Sequence, residues 1–303
     1  MEIRAAVADD AEAIAALHRA VYPYLVRAPA HFRHSLSTRL PDERYGIHVA
    51  QSHGVLIGWA AAGPFTWTSE VGACFVDVYV HPEFRRQGIG SALVDMAHRH
   101  LDGVGARVIR ASASEDGLEF AGRYGYEGSG QMHYAGLDPR VLPKQPCSPD
   151  GIELVSMNDL DPHQVYIGYS LTTRDVPGDS TFDAIGYDVW LRDVWQSPAF
   201  ASGLSVAAVA GDEVAALTMA SVDVDRLWTD MTGTVPAYRG RGLAKLVKAE
   251  TLRRSAEAGV SAAFTANDEL NQPMLTVNAW LGYRRLATHT GLPRTTVDVD
   301  QFS

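Results

Sequence analysis

The chain has 303 residues, of which 46% are hydrophobic and 20% charged, with a formal net charge of −10. That length allows one large domain or two ordinary ones, and the composition is that of a globular chain rather than a disordered one. The acidic balance argues against a protein that neutralises nucleic-acid phosphates. Apolar stretches such as Val206–Ala210 are too short to span a bilayer.

Two cysteines, Cys74 and Cys147, build neither a disulfide scaffold nor a four-ligand zinc site. The histidines are scattered, with no paired metal-ligand spacing, so no metal is expected. The segment MEIRAAVADDAEA lacks the basic and apolar runs of a secretory leader. The expectation is a cytoplasmic protein with no membrane or nucleic-acid partner.

In chain order, Ala11–Ala20 has apolar residues at helical spacing behind Asp9 and Asp10, either of which suits a helix cap. Ile47–Ala62 reads as two strands meeting at Ser52-His53-Gly54. Phe75–Val80 reads as a strand, Gly88–His100 as a helix, Val108–Ala113 as a strand and Leu118–Tyr124 as a helix. The segment Leu137–Gly151 carries four prolines, which resist both helix and sheet, and reads as a stiff linker. Beyond it come a hairpin around Gly211-Asp212, a strand Asp230–Val235, a helix Gly242–Ala256, a strand Ala262–Ala266 and a helix Gln272–Leu281. Hairpins mixed with strand–helix–strand units predict a mixed sheet of the α/β or α+β type.

The two series repeat. VHPEFRRQGIG and TVPAYRGRGLA share Pro-x-x-Arg-x-x-Gly-x-Gly/Ala, and Arg85 and Arg239 stand 154 positions apart. Tyr124-Gly125-Tyr126 and Leu281-Gly282-Tyr283 stand 157 apart. Two landmarks at nearly one offset predict two copies of one domain: 1–142, a linker at 143–150, and 151–303. Residues 1–142 hold 13 basic and 16 acidic residues and 143–303 hold 13 and 20, so the charges are −3 and −7.

The repeated motif sits between a strand and a helix. There the first helical amides lack partners, the helix dipole adds positive character, and glycines let an anion reach the backbone. Arginines add charge-assisted bonds. The motif is a pyrophosphate cradle, but neither a P-loop nor a dinucleotide fingerprint.

VDVYVHPEFRRQGIGSALVDMA and MTGTVPAYRGRGLAKLVKAE resemble the acyl-CoA motif of the GNAT superfamily of N-acetyltransferases, and GRYGYEG and NQPMLTVNAWLGYR resemble its closing helix and strand. The whole is similar to tandem GNAT proteins, of which mycothiol synthase is one kind. The resemblance implies two GNAT (acyl-CoA N-acyltransferase) domains with acetyl-CoA (coenzyme A) lying between two splayed parallel strands.

In the first copy it implies cofactor contacts at Val78, Val80, Arg85, Arg86, Gln87, Gly88, Gly90 and Ser91. In the second copy these become Thr234, Val235, Arg239, Gly240, Arg241, Gly242, Ala244, Lys245 and Asn271, with Ser114 standing where the first copy would carry that Asn. The family's usual acid, a tyrosine, falls at Ala121 and Asn278 and is missing from both copies. Asn278 is the candidate to orient the sulfur or a water.

The family's base position falls at Cys74 and Trp228, neither of them a base. Asp230 lies on the same strand face and is the candidate base or proton-path residue. A free cysteine such as Cys74 reads as a small buried hydrophobe.

The substrate segment of the second copy, Asp175–Trp195, is acidic and aromatic. Asp175, Tyr187 and Trp190 are the candidate contacts, with Asp179, Asp183, Asp188 and Trp195 around them. Carboxylates with aromatic faces suit a cationic amine, and an amphipathic helix with a solvated acidic face fits the same residues. The matching segment Tyr22–Glu43 is basic, so the two copies should not share a substrate.

Asp230, Asn271 and Asn278 favour the C-terminal copy as catalyst. The function expected is direct acetyl transfer from acetyl-CoA to the primary amine of a small molecule: a metabolite, antibiotic or thiol precursor. A non-catalytic acyl-CoA-binding protein and a protein or peptide N-acetyltransferase are the alternatives. A monomer with pseudo-dimeric halves and a homodimer both remain open.

Overall fold

The computed structural model describes residues 1–178, 181–183 and 185–296. The first half of the chain runs β1 (Glu2–Ala5), α1 (Ala11–Val21), α2 (Pro29–Thr38), β2 (Gly46–Ser52), β3 (Val55–Pro64), β4 (Ala73–Val80), α3 (Ile89–Val104), β5 (Val108–Ala113), α4 (Glu115–Gly122) and β6 (Gln131–Leu137). The second half runs β7 (Glu153–Ser156), α5 (Pro162–Thr173), α6 (Tyr187–Trp190), β8 (Val206–Ala210), β9 (Glu213–Asp223), β10 (Arg226–Thr234), α7 (Leu243–Glu257), β11 (Ala262–Asp268), α8 (Gln272–Leu281) and β12 (Arg284–Thr295).

The chain divides into two compact units. Unit 1 holds Met1–Pro23, Pro29–Gln131 and the end of the chain from Thr288; unit 2 holds Tyr24–Ala28 and Met132–Ala287. Each unit thus takes in a strand from the other half of the chain. In unit 1 the sheet order is β1-β2-β3-β4-β5, completed by Thr290–Thr295 of β12 antiparallel to β5. In unit 2 the order is β7-β8-β9-β10-β11, completed by β6, which pairs antiparallel with β11 from Leu137↔Ala263 to Met132↔Asp268. Both sheets are antiparallel except for one central parallel pair, β4 with β5 and β10 with β11.

Local sequence explains most elements. The β2–β3 hairpin turns at His53 and Gly54, at φ 51° and 79°, the left-handed pair that a tight two-residue turn needs. Helix α3 buries Ile89, Leu93, Val94, Ala97 and Leu101, one face at helical spacing. Each larger side chain on that face contributes roughly 1.5–3 kcal/mol by leaving water. Beyond Leu137, which ends β6, the proline-rich stretch forms no helix or strand. It is tied to α7 by Gln145, whose Nε2 donates to Glu250 Oε2 at 2.9 Å.

Two local expectations need correction. Asp10 does not cap α1 with its side chain; its carboxylate takes two bonds from Arg4 at 2.7 Å and one from the Val7 amide at 2.8 Å. Among the described residues of Asp175–Trp195, only Tyr187–Trp190 are α-helical, running on as a π turn over Leu191–Trp195, so these do not form one amphipathic helix. Asp179 lies outside the described residues. Strands β1, β6, β7 and β12 and helices α2, α5 and α6 are additions to the elements expected from sequence.

Candidate active site

Both parallel pairs are short, and both fork. In unit 1 only Ala73–Phe75 pair with Val108–Arg110, after which β4 runs on to Val80 and β5 to Ala113 without pairing to each other. In unit 2 only Arg226–Trp228 pair with Ala262–Phe264 before β10 and β11 part. A fork leaves inward backbone groups of both strands without ladder partners, ready for a ligand's amides.

The motif follows the fork in each unit. Gly88 and Gly242 begin α3 and α7 at φ 81° and 77°, a left-handed conformation that glycine adopts without penalty. The first helical bonds run from Ala92 N–H to the Gly88 carbonyl (3.1 Å) and from Leu246 N–H to the Gly242 carbonyl (3.2 Å). The amides ahead of them have no partner within the helix.

The two motif arginines act alike, and differently from the expectation that they point at an anion. Arg85 Nε donates to the Val80 carbonyl (3.3 Å) and its Nη1 to Asp116 (2.7 Å). Arg239 Nε donates to the Thr234 carbonyl (3.2 Å) and its Nη1 to Asp175 (2.7 Å). Both arginines therefore lock the strand end to a carboxylate. Asp175, singled out as a substrate contact, is the Arg239 partner, and that guanidinium holds its carboxyl below the usual range.

Unit 1 holds an open cavity of about 380 Å³ at its fork. It is lined by Val76, Val78, Val80, Ala111 and Ala113 from the strands; Arg85, Arg86, Gly88, Gly90, Ser91 and Val94 from the motif; and Ala121 and Tyr126 near α4. Every cofactor residue expected in this half lines it except Gln87, which is exposed. A side chain at Gly90 would meet Phe120 at 3.2 Å, so glycine there keeps the mouth clear. Volume and mixed lining are those of a small-ligand site.

Tyr22, from the end of α1, also lines this cavity. Its hydroxyl lies 3.4 Å from Ser114 Oγ, which donates to Asp116. Burial raises its pKa above the ordinary tyrosine value, so the phenol keeps its proton. Beside its ring, at 4.6 Å, stands buried His289, pushed down to about 4 by desolvation and so neutral at pH 7. Sequence reasoning placed Tyr22 only at the start of the basic segment Tyr22–Glu43 and gave it no role of its own, because it lies far along the chain from the motif. Cys74 lies buried below the fork with its thiol pKa raised by burial.

Unit 2 places its candidates otherwise. Asn278 is buried: its Oδ1 accepts from Lys248 Nζ at 2.8 Å and its Nδ2 donates to Asn267 Oδ1 at 2.6 Å. Lys248 is 1% exposed, reaches Thr265 Oγ1 at 3.3 Å and lies 4.9 Å over the Tyr283 ring. Desolvation lowers its pKa to about 7. Asn271 caps α8, accepting from the Met274 amide at 3.3 Å. Lys245 lies over the Trp280 ring and Arg241 over the Tyr238 ring. Gly240 sits at φ 78°. Thr234, Val235 and Ala244 flank the fork and the first helical turn.

Asp230 is the extra residue of a β-bulge between Thr229 and Met231. The residue is exposed, with protein packed around its carboxylate. Poor hydration pushes it up to about 6, against the opposing pull of Arg27 and of a 2.6 Å bond from Ser221 Oγ. No hydrogen bond joins Asp230 to Asn278. Trp190 is 0% exposed, at the centre of a cluster with Tyr166, Tyr169, Tyr187 and Trp195. Trp190 thus packs a core, with half-buried Tyr187 at its edge.

Among the described residues no group of three or more His, Cys, Asp or Glu is placed to hold a metal, and no helix is long and apolar enough to cross a membrane. A forked parallel pair with a glycine-started helix over the fork, and in unit 1 a cavity between them, are features of the acyl-CoA N-acyltransferase fold.

Comparison with known proteins narrows this. Residues 11–126 match the model of the acetyltransferase (GNAT) family. The whole chain is similar in structure to a GCN5-related N-acetyltransferase from Sphaerobacter thermophilus, with TM-score 0.71 and 18% identity, covering 97% of this chain and 95% of that one. It is also similar to a tandem GNAT protein from the clavulanic acid biosynthesis pathway, solved without acetyl-CoA, with TM-score 0.73 and 21% identity over 97% and 98% of the two chains. No curated protein sequence matches significantly. Residues 11–126 thus match the acetyltransferase (GNAT) family, and over its whole length the chain has the fold of tandem GNAT structures.

Proposed function

We propose that the protein transfers an acetyl group from acetyl-CoA to the primary amine of a small molecule, and that the donor binds in unit 1. The observation that carries this reading is the open cavity at the unit 1 fork, lined by the motif residues and by both splayed strands. The pyrophosphate would lie on the free amides from Arg86 to Ser91, and the pantetheine arm between Val76–Val80 and Ala111–Ala113. This reverses the preference for the C-terminal copy that Asp230, Asn271 and Asn278 give as bare residue types. In the fold Asn271 is spent on a helix cap and Asn278 on a buried lysine.

When bound, the thioester supplies an activated acyl group and a thiolate leaving group. The chain's part is to hold the donor, exclude water and return a proton to sulfur. Tyr22 is the residue assigned to that proton. It lines the cavity, stays protonated through burial, and compensates for the alanine at 121 where the family carries its tyrosine. Both cysteines are free, in keeping with a cytoplasmic setting.

The test is calorimetric titration of acetyl-CoA, with thiol release measured against a panel of small amines, on wild type and Ser91→Trp. Ser91 lines the cavity in the first helical turn. Binding and thiol release, both lost in the variant, are expected. Absence of binding in wild type would sink the reading. Binding without thiol release on any amine would leave a non-catalytic acyl-CoA binder.

A further inference from the structure

We propose that unit 2 has closed its own pantetheine cleft with side chains: Lys248, Thr265, Asn267 and Asn278 form a buried polar plug where unit 1 keeps its cavity open, so the chain takes one acyl-CoA rather than two. The inference rests on the reading that acyl-CoA is the donor.

The positions correspond by geometry. Val94 and Lys248 each stand six residues beyond a left-handed glycine that starts a helix, Gly88 and Gly242. Ala111 and Thr265 are each the first strand residue past the last parallel pair, Phe75↔Arg110 and Trp228↔Phe264, and Ala113 and Asn267 are each the third. Ala121 and Asn278 each accept a bond on their carbonyl from the aromatic that ends the motif: Tyr126 N–H at 3.3 Å and Tyr283 N–H at 3.0 Å.

All four unit 1 residues line its cavity. Their unit 2 counterparts instead bond to one another: Lys248 Nζ to Thr265 Oγ1 and Asn278 Oδ1, and Asn278 Nδ2 to Asn267 Oδ1. Lys248 is 1% exposed and Asn278 5%. A pantetheine arm entering this fork would have to displace the amine and leave Asn278 and Thr265 short of a partner in a dry interior, where an unmade bond is costly. A fork of the same design thus has lining positions that are small or apolar in one copy and long and polar in the other.

The change needs no loss of the motif, which explains why TVPAYRGRGLA still reads as a complete cradle. The cradle's backbone conformation also serves the fold: Gly242 starts α7, and Arg239 ties the end of β10 to Asp175.

The experiment is acetyl-CoA titration of wild type and of Lys248→Val/Thr265→Ala/Asn278→Ala, which gives unit 2 the unit 1 residues at three positions. One site per chain in wild type and a second, weaker site in the triple variant are expected. Deuterium exchange of wild type with and without acetyl-CoA supplies a readout that needs no variant. Slowed exchange over 86–94 with none over 240–248 supports the plug. Two sites in wild type, slowed exchange over 240–248, or a folded triple variant that still binds one equivalent would each overturn it. No binding and no slowed exchange anywhere would instead remove the acetyl-CoA reading, and the plug with it.

Discussion

In unit 1 the fork between β4 and β5 is lined at four matched positions by Val94, Ala111, Ala113 and Ala121; in unit 2 the same positions hold Lys248, Thr265, Asn267 and Asn278. The frames are alike down to the φ of the glycine that starts each helix. A binding fold is therefore a frame plus a lining, and only the lining decides whether there is space. Glycines and arginines that look like ligand residues also hold the frame together, since Arg85 and Arg239 both tie a strand end to a carboxylate. A motif kept in both copies is evidence of shared architecture before it is evidence of shared binding.

The strongest way to break the comparison is the reciprocal swap. Val94→Lys puts an amine into the unit 1 lining, where small or apolar Ala111 and Ala121 offer it no acceptor side chain. Burying an unpaired charge costs several kcal/mol, about 3 or more, unless the group gives up its proton. Loss of acetyl-CoA binding in calorimetry and a marked drop in denaturant midpoint are expected. A variant that still binds would mean that the lining does not govern access.

Lys248 makes the next largest effect, and a pH-dependent one. Desolvation holds its folded pKa near 7 against 10.5 when unfolded, so the folded state favours the neutral amine. Its contribution to stability is fully present above the unfolded value and is lost as the pH falls to about 7, below which it is flat. The span corresponds to about 5 kcal/mol, at 1.36 kcal/mol per pKa unit. Lys248→Met lacks this slope, so the stability gap between wild type and variant should widen in favour of wild type from pH 7 to 10 in urea titrations. A gap that does not move with pH would show a hydrated Lys248 rather than a buried one.

Tyr22→Phe sharpens the unit 1 side. It removes the hydroxyl assigned to protonate the thiolate while leaving the cavity's shape. A fall in kcat of about 100-fold is expected, in the usual range for a general acid, with the dissociation constant for acetyl-CoA unchanged. Unchanged kcat would remove Tyr22 from the chemistry.

The smallest effect is expected at Asp175. Its pair with Arg239 is about half exposed on both sides, at 51% and 48%. Asp175→Ala should cost less than about 1 kcal/mol by urea titration, as for other solvated pairs. A larger loss would mean that the cradle of unit 2 depends on that lock.

Much of the fold was legible in the sequence. The strand Val108–Ala113 and the helix Gln272–Leu281 fall where periodicity places them, and the hairpins at His53-Gly54 and Gly211-Asp212 follow from their turn residues. The forks were implied by family resemblance alone. Asp230 was legible as a carboxylate on the strand, but its bulge and raised pKa were not. Asn278 was legible only as a missing tyrosine. Trp190 read as a binding surface because aromatics suit both binding and packing, and burial separates the two only after folding.

The sequence by itself determined the repeat, the mixed sheets and the two glycine-started helices. Those features depend on local backbone preference and on apolar periodicity, and both are written in neighbouring residues. Tertiary structure alone decided which residues meet. It brought Lys248, Thr265 and Asn278 together from three elements, set Tyr22 at a cavity built mostly from residues 76 to 126, and traded β6 and the end of β12 between the units. Those contacts join positions far apart along the chain, and short-range sequence patterns carry no record of such distances.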